Sequence, residues 1–368
     1  MESRTNSEVR AFNTRRILNT IYRDGDTTKL ELSQKLEISL PTVNTIVKEL
    51  MDSNLVKYGK TLQSTGGRKA TSICSMPYLK LSVGIEVTDR HMKIALVDMT
   101  PKPVVQKKYP LSLNTKKEVW EKANEYLLSF IEEYVPDKEK LLGTAIALPL
   151  PIKDEKVVHV KNMPEEFWVD TDLLKSCFDV PIEVDSSSKV ATFAQIWALN
   201  KRDNFQFINV GGYIAGGIVF NGDVIEYKNR HAEYGNVTIY HEGKYKRLEE
   251  ICSTFVLEEK SGLEMKEFME KVRLGDEKCL AIWNEYLDVF SMHLFNMHCI
   301  LNWEIVVGGS MSAYIKEFLP DIKKRIAAIN MFQTETEVDY ISISDLGEFG
   351  AAVGAAMTLQ DAFLNSIY

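Results

Sequence analysis

Apolar residues recur along this chain at two different periods, and the change from one to the other falls near Pro77. Before it the spacing is helical. Ile17, Leu18 and Ile21 share one face of a helix predicted over Asn13 to Arg23, which stops at Asp24-Gly25-Asp26. A second helix is predicted from about Lys29 to Leu36, and "EIS" joins it to a third. Ser39 suits the N-cap of that third helix, Pro41 is tolerated in its first turn, and Val43, Ile46, Val47 and Leu50 form a buried face. Short strands around Leu55-Val56 and from Ala70 to Ile73 flank "STGGRK". After Pro77, strands alternate with helices. "LSVGIEV", "MKIALVDM", "LLGTAIALPLPI", "PIEV", "FQFINVGG", "GGIVFNG" and "WEIVVGGS" read as strands. "KKEVWEKANEYLLSFIEEYV" and "LAIWNEYLDVFSMHLFNMHCIL" read as amphipathic helices, and a last helix follows "EFGAAVGAAMTL". The order predicts a small helical module followed by an α/β body in two lobes.

Helix, tight turn, helix is the arrangement that presents a recognition helix to a DNA major groove. With Val43, Ile46, Val47 and Leu50 turned inward, Thr42, Asn44, Thr45 and Lys48 point outward beside the cap Ser39. Asn and Thr side chains can read base edges, and Lys is suited to phosphate. The strands around "STGGRK" make a wing: its glycines permit a tight turn, and Arg68 and Lys69 can reach the backbone or minor groove. These features predict a winged helix-turn-helix over residues 1–76.

Net charge supports this division. The whole chain of 368 residues carries −8, which alone argues against nucleic acid. Residues 1–75, however, hold 12 Lys and Arg against 8 Asp and Glu, so a head of +4 sits on a body of −12. The opening "MESRTNSEVRAFNTRR" lacks the apolar stretch of an export signal, and no uninterrupted apolar run reaches about 18 residues. Five cysteines lie far apart with no C-x-x-C pair, which disfavours a disulfide framework or a zinc cluster. A cytoplasmic protein with reduced thiols and no membrane segment is expected.

With "STGGRK", "GIEVTDRHMKIALVD", "INVGGYIAGGIVFNGDV", "HAEYGN", "IVVGGSMS" and "FGAAVGAA" in this order, nearly the whole chain resembles the ROK family of repressors, open reading frames and sugar kinases, in its repressor branch. The resemblance implies an α/β body of two actin- or sugar-kinase-like (ribonuclease H-like) lobes behind the winged helix-turn-helix. It places the first lobe at residues 77–195, completed by the C-terminal helix 350–368, and the second lobe, carrying the ligand cleft and oligomer contacts, at residues 196–349.

The departures from the family pattern carry the functional expectation. Family kinases hold their base in an Asn-Asp-x-Asn turn; here Ser186 and Ser187 take the Asn-Asp pair and Lys189 the second Asn. A serine hydroxyl is too weak a base near neutrality to replace a carboxylate; Asp185 would serve only through a shifted backbone. The first phosphate loop becomes Glu86 to Arg90 without its glycines, and Tyr213 enters the second loop, Gly211 to Ala215. No catalytic residue, cofactor or metal is therefore expected. Resemblance to family sugar contacts selects Asn162, Ser187, Ser188, Glu233, Asn236 and Glu249 as ligand residues; paired carboxylates accept hydrogen bonds from vicinal hydroxyls. Leu150, in place of a family glycine, is expected to crowd the pocket. The family zinc loop is absent: Asn236 replaces its histidine, and His241 is read as lacking partners, so bracing is expected from packing. His231, His293 and His298 are read as surface or core residues. The resulting expectation is a sugar-responsive repressor, a homodimer or homotetramer on a palindromic operator. Its rivals are a DNA-binding sugar kinase with residual phosphotransfer and a DNA-binding protein whose body only oligomerises.

Arg68→Ala in the full chain should weaken binding to duplex DNA and lower the slope of log affinity against log salt by about one. Anisotropy titrations at several salt concentrations measure both; unchanged affinity throughout would mean that the wing does not touch phosphate.

Overall fold

The computed structural model describes residues 6–61, 71–100, 102–158, 165–198, 204–226, 231–331 and 338–367. The head contains α1 (Asn6–Asp24), α2 (Lys29–Leu36), α3 (Leu40–Asp52), and the antiparallel pair β1 (Val56–Thr61) and β2 (Thr71–Ser75). The first helix begins earlier than its apolar stripe suggested, because no glycine or proline interrupts residues 6–13. Thr28 and Glu31 form a reciprocal capping box at the start of α2, and Glu37 ends that helix in the left-handed conformation. Ser39 caps α3 with Pro41 in its first turn. The inward faces meet in one core of Ile17, Leu18, Ile21, Leu32, Val43, Ile46 and Leu50.

The first lobe follows with β3 (Leu81–Val87), β4 (His91–Val97), β5 (Pro103–Pro110), α4 (Lys117–Tyr134), β6 (Leu141–Leu148), the short hairpin β7 (Ile152–Lys153) and β8 (Lys156–Val157), α5 (Thr171–Ser176), and β9 (Ile182–Ser186) running directly into α6 (Ser187–Ala198). Its sheet has the order β5-β4-β3-β6-β9, with an antiparallel meander on one side of β3 and parallel β6 and β9 on the other. The second lobe holds β10 (Phe205–Val210), β11 (Ile214–Phe220), β12 (Asp223–Val224), the hairpin β13 (Thr238–His241) and β14 (Lys244–Arg247), α7 (Glu249–Cys252), α8 (Thr254–Ser261), α9 (Met265–Leu274), α10 (Glu277–Leu301), β15 (Glu304–Gly308), α11 (Ser312–Glu317), α12 (Leu319–Ile329) and β16 (Ile341–Ile343). Its sheet, β12-β11-β10-β15-β16, repeats the strand order and directions of the first. This is the duplicated ribonuclease H-like plan. Such sheets gather ligands beyond the carboxyl ends of their parallel strands.

The last helix, α13 (Gly350–Ser366), returns to the first sheet. All seven residues of β3 are buried, as expected of a strand covered on both faces. One cover is α4, through Trp120, Leu127 and Phe130; full burial of such side chains is worth about 2 kcal/mol each. The other is α13. A Cβ on Gly84 would lie 1.9 Å from the Ala352 carbonyl oxygen, so this contact is backbone against backbone. At the crossing of α13 with α6, a Cβ on Gly354 would lie 1.9 Å from the Val190 carbonyl oxygen. The apolar core of the head is continuous with this α6–α13 layer. Arg23 of α1 fastens the junction. Its guanidinium lies 4.2 Å from the centre of the Trp197 ring at the end of α6 and pairs at 3.0 Å with Asp361 of α13.

Gly354→Ala should force these helices apart and cost about 2–3 kcal/mol of unfolding free energy. Gly143→Ala, whose new methyl would meet only Leu359 side-chain atoms at 3.8 Å or more, should leave stability nearly unchanged. Denaturant midpoints of the two variants measure the contrast; equal midpoints would show that the helix crossing has slack.

Candidate ligand cleft and DNA-facing helix

A cavity of about 1080 Å³ opens between the lobes, at the carboxyl ends of β3, β6, β10 and β15. One end is lined by the β9–α6 junction and by the 3-10 turn Tyr234–Asn236. Ser187 and Ser188 from the first lobe and Glu233, Asn236 and Glu249 from the second all line it, so the cavity brings together five of the six sequence-selected ligand residues. Asn162 lies outside the described residues, as do Arg68 and Lys69 of the wing.

The polar atoms here are largely organised among themselves. The hydroxyls of Ser186 and Ser188 are 3.0 Å apart, and the Asn236 amide donates to Glu233 at 3.0 Å. Glu249 accepts the Ile214 amide at 3.1 Å. Burial raises the Glu249 pKa above its ordinary value, while that amide and the nearby Arg247 oppose the rise. Asp185 is engaged elsewhere: its carboxylate accepts the Ser186 amide at 2.8 Å and pairs with Lys189 at 2.9 Å, and it does not line the cavity.

The other end of the cavity is filled by internal contacts. Glu86 and Lys93 form a buried pair at 2.9 Å, and Lys93 also donates to the Glu348 carbonyl. Lys108 pairs with the Glu348 carboxylate at 2.9 Å. Arg90 reaches from the β3–β4 turn of the first lobe to α8 of the second. There it binds Glu258 in a bidentate fork at 3.2 and 2.7 Å and lies 5.1 Å from the centre of the Phe255 ring. Asp89 sits 3.4 Å from Arg90 and belongs to the same network. Tyr213 stands edge-on to both Phe255 and Phe167, with ring centres at 5.5 and 6.5 Å. A Cβ on Gly212 would strike the Phe255 ring at 2.6 Å, so the open face of this loop glycine is taken up by an aromatic side chain. Leu150 lies in the cavity wall but packs into the first-lobe core, so it narrows the cavity without closing it.

Two sequence readings need correction. His241 has partners: its Nε2 is 2.7 Å from Glu285 of α10, which also accepts from Lys260 of α8 at 2.7 Å. The β13–β14 hairpin is thus braced by hydrogen-bonded charges, where packing alone was expected. His241, Glu242 and Glu285 come close enough to suggest a metal cluster, but Lys260 and Lys246 occupy the carboxylates. His231, read as a surface or core residue, lines the cavity. The signal in sequence was its place just ahead of "AEYGN"; nothing local marked which way the ring faces.

On the head, Asn44, Thr45 and Lys48 are exposed along α3, and Thr42 is partly covered. The Ser39 hydroxyl lies 2.7 Å from that of Thr42 and accepts its amide, while Thr45 donates to the Pro41 carbonyl. The outward face of α3 is therefore a short polar strip in which Asn44 and Lys48 extend furthest from helix-internal bonds.

A winged head on a duplicated ribonuclease H-like body, with a polar cleft between the lobes, defines a DNA-binding regulator built on a sugar-kinase scaffold. The chain belongs to the ROK family, whose sequence profile matches residues 82–362; a winged helix-turn-helix DNA-binding profile matches residues 13–57. It is 22% identical to the DNA-binding transcriptional dual regulator NagC of Escherichia coli, over 98% of this chain and 95% of that protein. It is also 22% identical to the xylose repressor of Bacillus subtilis, over 98% and 97%. In structure it resembles a ROK family transcriptional regulator described as a homologue of the E. coli MLC protein, with a TM-score of 0.71, 15% identity and 97% of each chain covered. The body alone resembles a ROK glucokinase from Streptomyces griseus solved with glucose and AMPPNP, with a TM-score of 0.58, 15% identity, and 76% and 98% covered.

Arg90→Glu and Glu258→Arg should each loosen the lobes and lower stability by roughly 1 kcal/mol, an effect reduced in 1 M salt. The double reversal should recover most of the loss. Scattering-derived radii and melting temperatures check this; singles and double that behave alike would show that the pair does not hold the lobes.

Proposed function

We propose that this chain is a sugar-responsive transcriptional repressor whose body binds a carbohydrate effector and does not transfer phosphate. One observation carries the reading: the two ends of the cleft have opposite characters. Its polyol end is lined by Ser187, Ser188, Glu233, Asn236 and Glu249, while its other end is filled by Arg90–Glu258, Lys93–Glu86, Tyr213 and Phe255. A nucleotide triphosphate would have to displace several ion pairs there and would find no carboxylate poised on the serine turn. Asn162 joins the ligand set by its resemblance to a family contact.

The head, residues 1–76, acts as the DNA reader through Ser39, Thr42, Asn44, Thr45 and Lys48 on α3 and Arg68 and Lys69 on the wing. The lobes divide at about residue 195, with the C-terminal helix assigned to the first. Two copies or four would place paired heads on a palindromic operator in the cytoplasm, with half-site spacing set by the two-fold axis. No helix among the described residues is long and apolar enough to cross a membrane. An effector that prefers one lobe arrangement shifts the head through α6 and α13. Both begin at the cleft and end at Arg23, and the shift is limited by the difference in affinity for the two arrangements.

The test uses the purified full chain in two arms. Xylose, glucose or N-acetylglucosamine should raise the melting temperature, since a ligand of the folded state stabilises it, and should change affinity for DNA selected by the protein from a random pool. The same sugars with ATP and magnesium should give no sugar phosphate. Phosphorylated product abolished by Asp185→Ala would overturn the non-catalytic reading, and no melting shift with any sugar would overturn the effector reading.

A further inference from the structure

After the ligand-end carboxylates, amides and serines of the cleft have satisfied one another, two buried polar side-chain atoms among the described residues that line it remain unbonded. They are the hydroxyl of Ser187 and Nδ1 of His231. Ser187 is only 8% exposed and begins α6, at the end of the first-lobe sheet. His231 comes from the second lobe, in the segment between β12 and the Tyr234–Asn236 turn. Buried polar atoms are nearly always bonded, so each of these two, lining one cavity from different lobes, calls for a partner. Asp185 and Lys189, on either side of the serine turn, both act electrostatically on the imidazole, so the ring lies within charge-interaction range of that turn.

We infer that Ser187 and His231 grip a single hydroxyl of an uncharged polyol, one from each lobe, and that this bridge is what the effector adds to the closed arrangement. The inference rests on the reading of the cleft as an effector site. The chemistry fits. Burial holds the His231 pKa below its ordinary value, and Lys189 lowers it further, against the opposing pull of Glu226, the Ile225 carbonyl and Asp185. The ring is therefore neutral near pH 7; its N–H goes to the Ile225 carbonyl and Nδ1 presents a lone pair, while serine is both donor and acceptor. A hydroxyl, also donor and acceptor, completes both. A phosphate or carboxylate here would share the cavity with Glu233 and Glu249, and the cation lining it, Arg247, is already engaged by Glu249, Glu250 and Asn236. Because the two contacts come from different lobes, the bridge forms only when the lobes are close, which is the differential affinity an effector needs.

The experiment is a double-mutant cycle on the full chain. Xylose, glucose, N-acetylglucosamine and glucose 6-phosphate are the probes, followed by calorimetry and by melting curves of the free proteins. Ser187→Ala and His231→Ala should each weaken the binding neutral sugar about tenfold, as expected for a lost bond to a buried group. The double variant should lose much less than the hundredfold expected of independent contacts. His231→Asn, which keeps a donor and an acceptor, should bind better than His231→Ala. The free variants should melt close to the parent, and glucose 6-phosphate should not bind tighter than glucose. If a sugar binds the parent and both single variants alike, the bridge is wrong, the two atoms hold only water, and the effector site stands. If no sugar binds the parent, the bridge and the effector reading fall together.

Discussion

Backbone-to-backbone contact of α13 with two neighbours is the constraint on which the rest of this structure depends. Gly84 lets the helix sit directly on β3, and Gly354 lets it cross α6 without side chains between. The two helices then form a rigid pair that shares one origin and one destination. At the origin, α6 starts with Ser187 in the cleft wall and α13 starts next to Glu348, which receives Lys93 and Lys108. At the destination, Trp197 and Asp361 hold Arg23 of the first head helix. Close packing of this kind resists deformation and transmits strain along the pair.

Electrostatics divides the cleft into a closed half and an available half. Lys93, Lys108 and Arg90 would attract phosphate if left free, but each is matched by a carboxylate of this chain, and Arg90 is matched across the lobes. Among the described residues the carboxylates of the other half meet one cation, Arg247, 3.9 Å from Glu249; Glu233 is held by the Asn236 amide and Glu249 also by the Ile214 N–H. Hydrogen-bonded carboxylates with spare lone pairs suit hydroxyl groups and repel anions. The second-lobe hairpin follows the same economy, with His241, Glu285 and Lys260 bracing it through charge.

The fold was largely legible in the sequence, because helices in the head and strands in the body announce themselves by apolar period, and caps such as Ser39 stand at their boundaries. Five of the six residues selected from sequence line one cavity, and their motifs stand in order along the chain. What could not be read was pairing. Nothing near Arg90 in sequence points to Glu258, and nothing near His241 points to Glu285, since both pairs are made by the folding of distant helices. His231 was missed for the same reason: its meaning comes from the serine turn opposite. The start of α1 was misjudged because a helix need not carry an apolar stripe along its whole length.

The order of synthesis gives the α13 contact another meaning. On the ribosome the strands of the first sheet are made well before residues 350–366, so one of its faces stays wet until α13 emerges. The head, made earlier still, leans on that same late helix through Arg23 and Asp361. A product cut short before residue 350 therefore presents its three helices on an unfinished support.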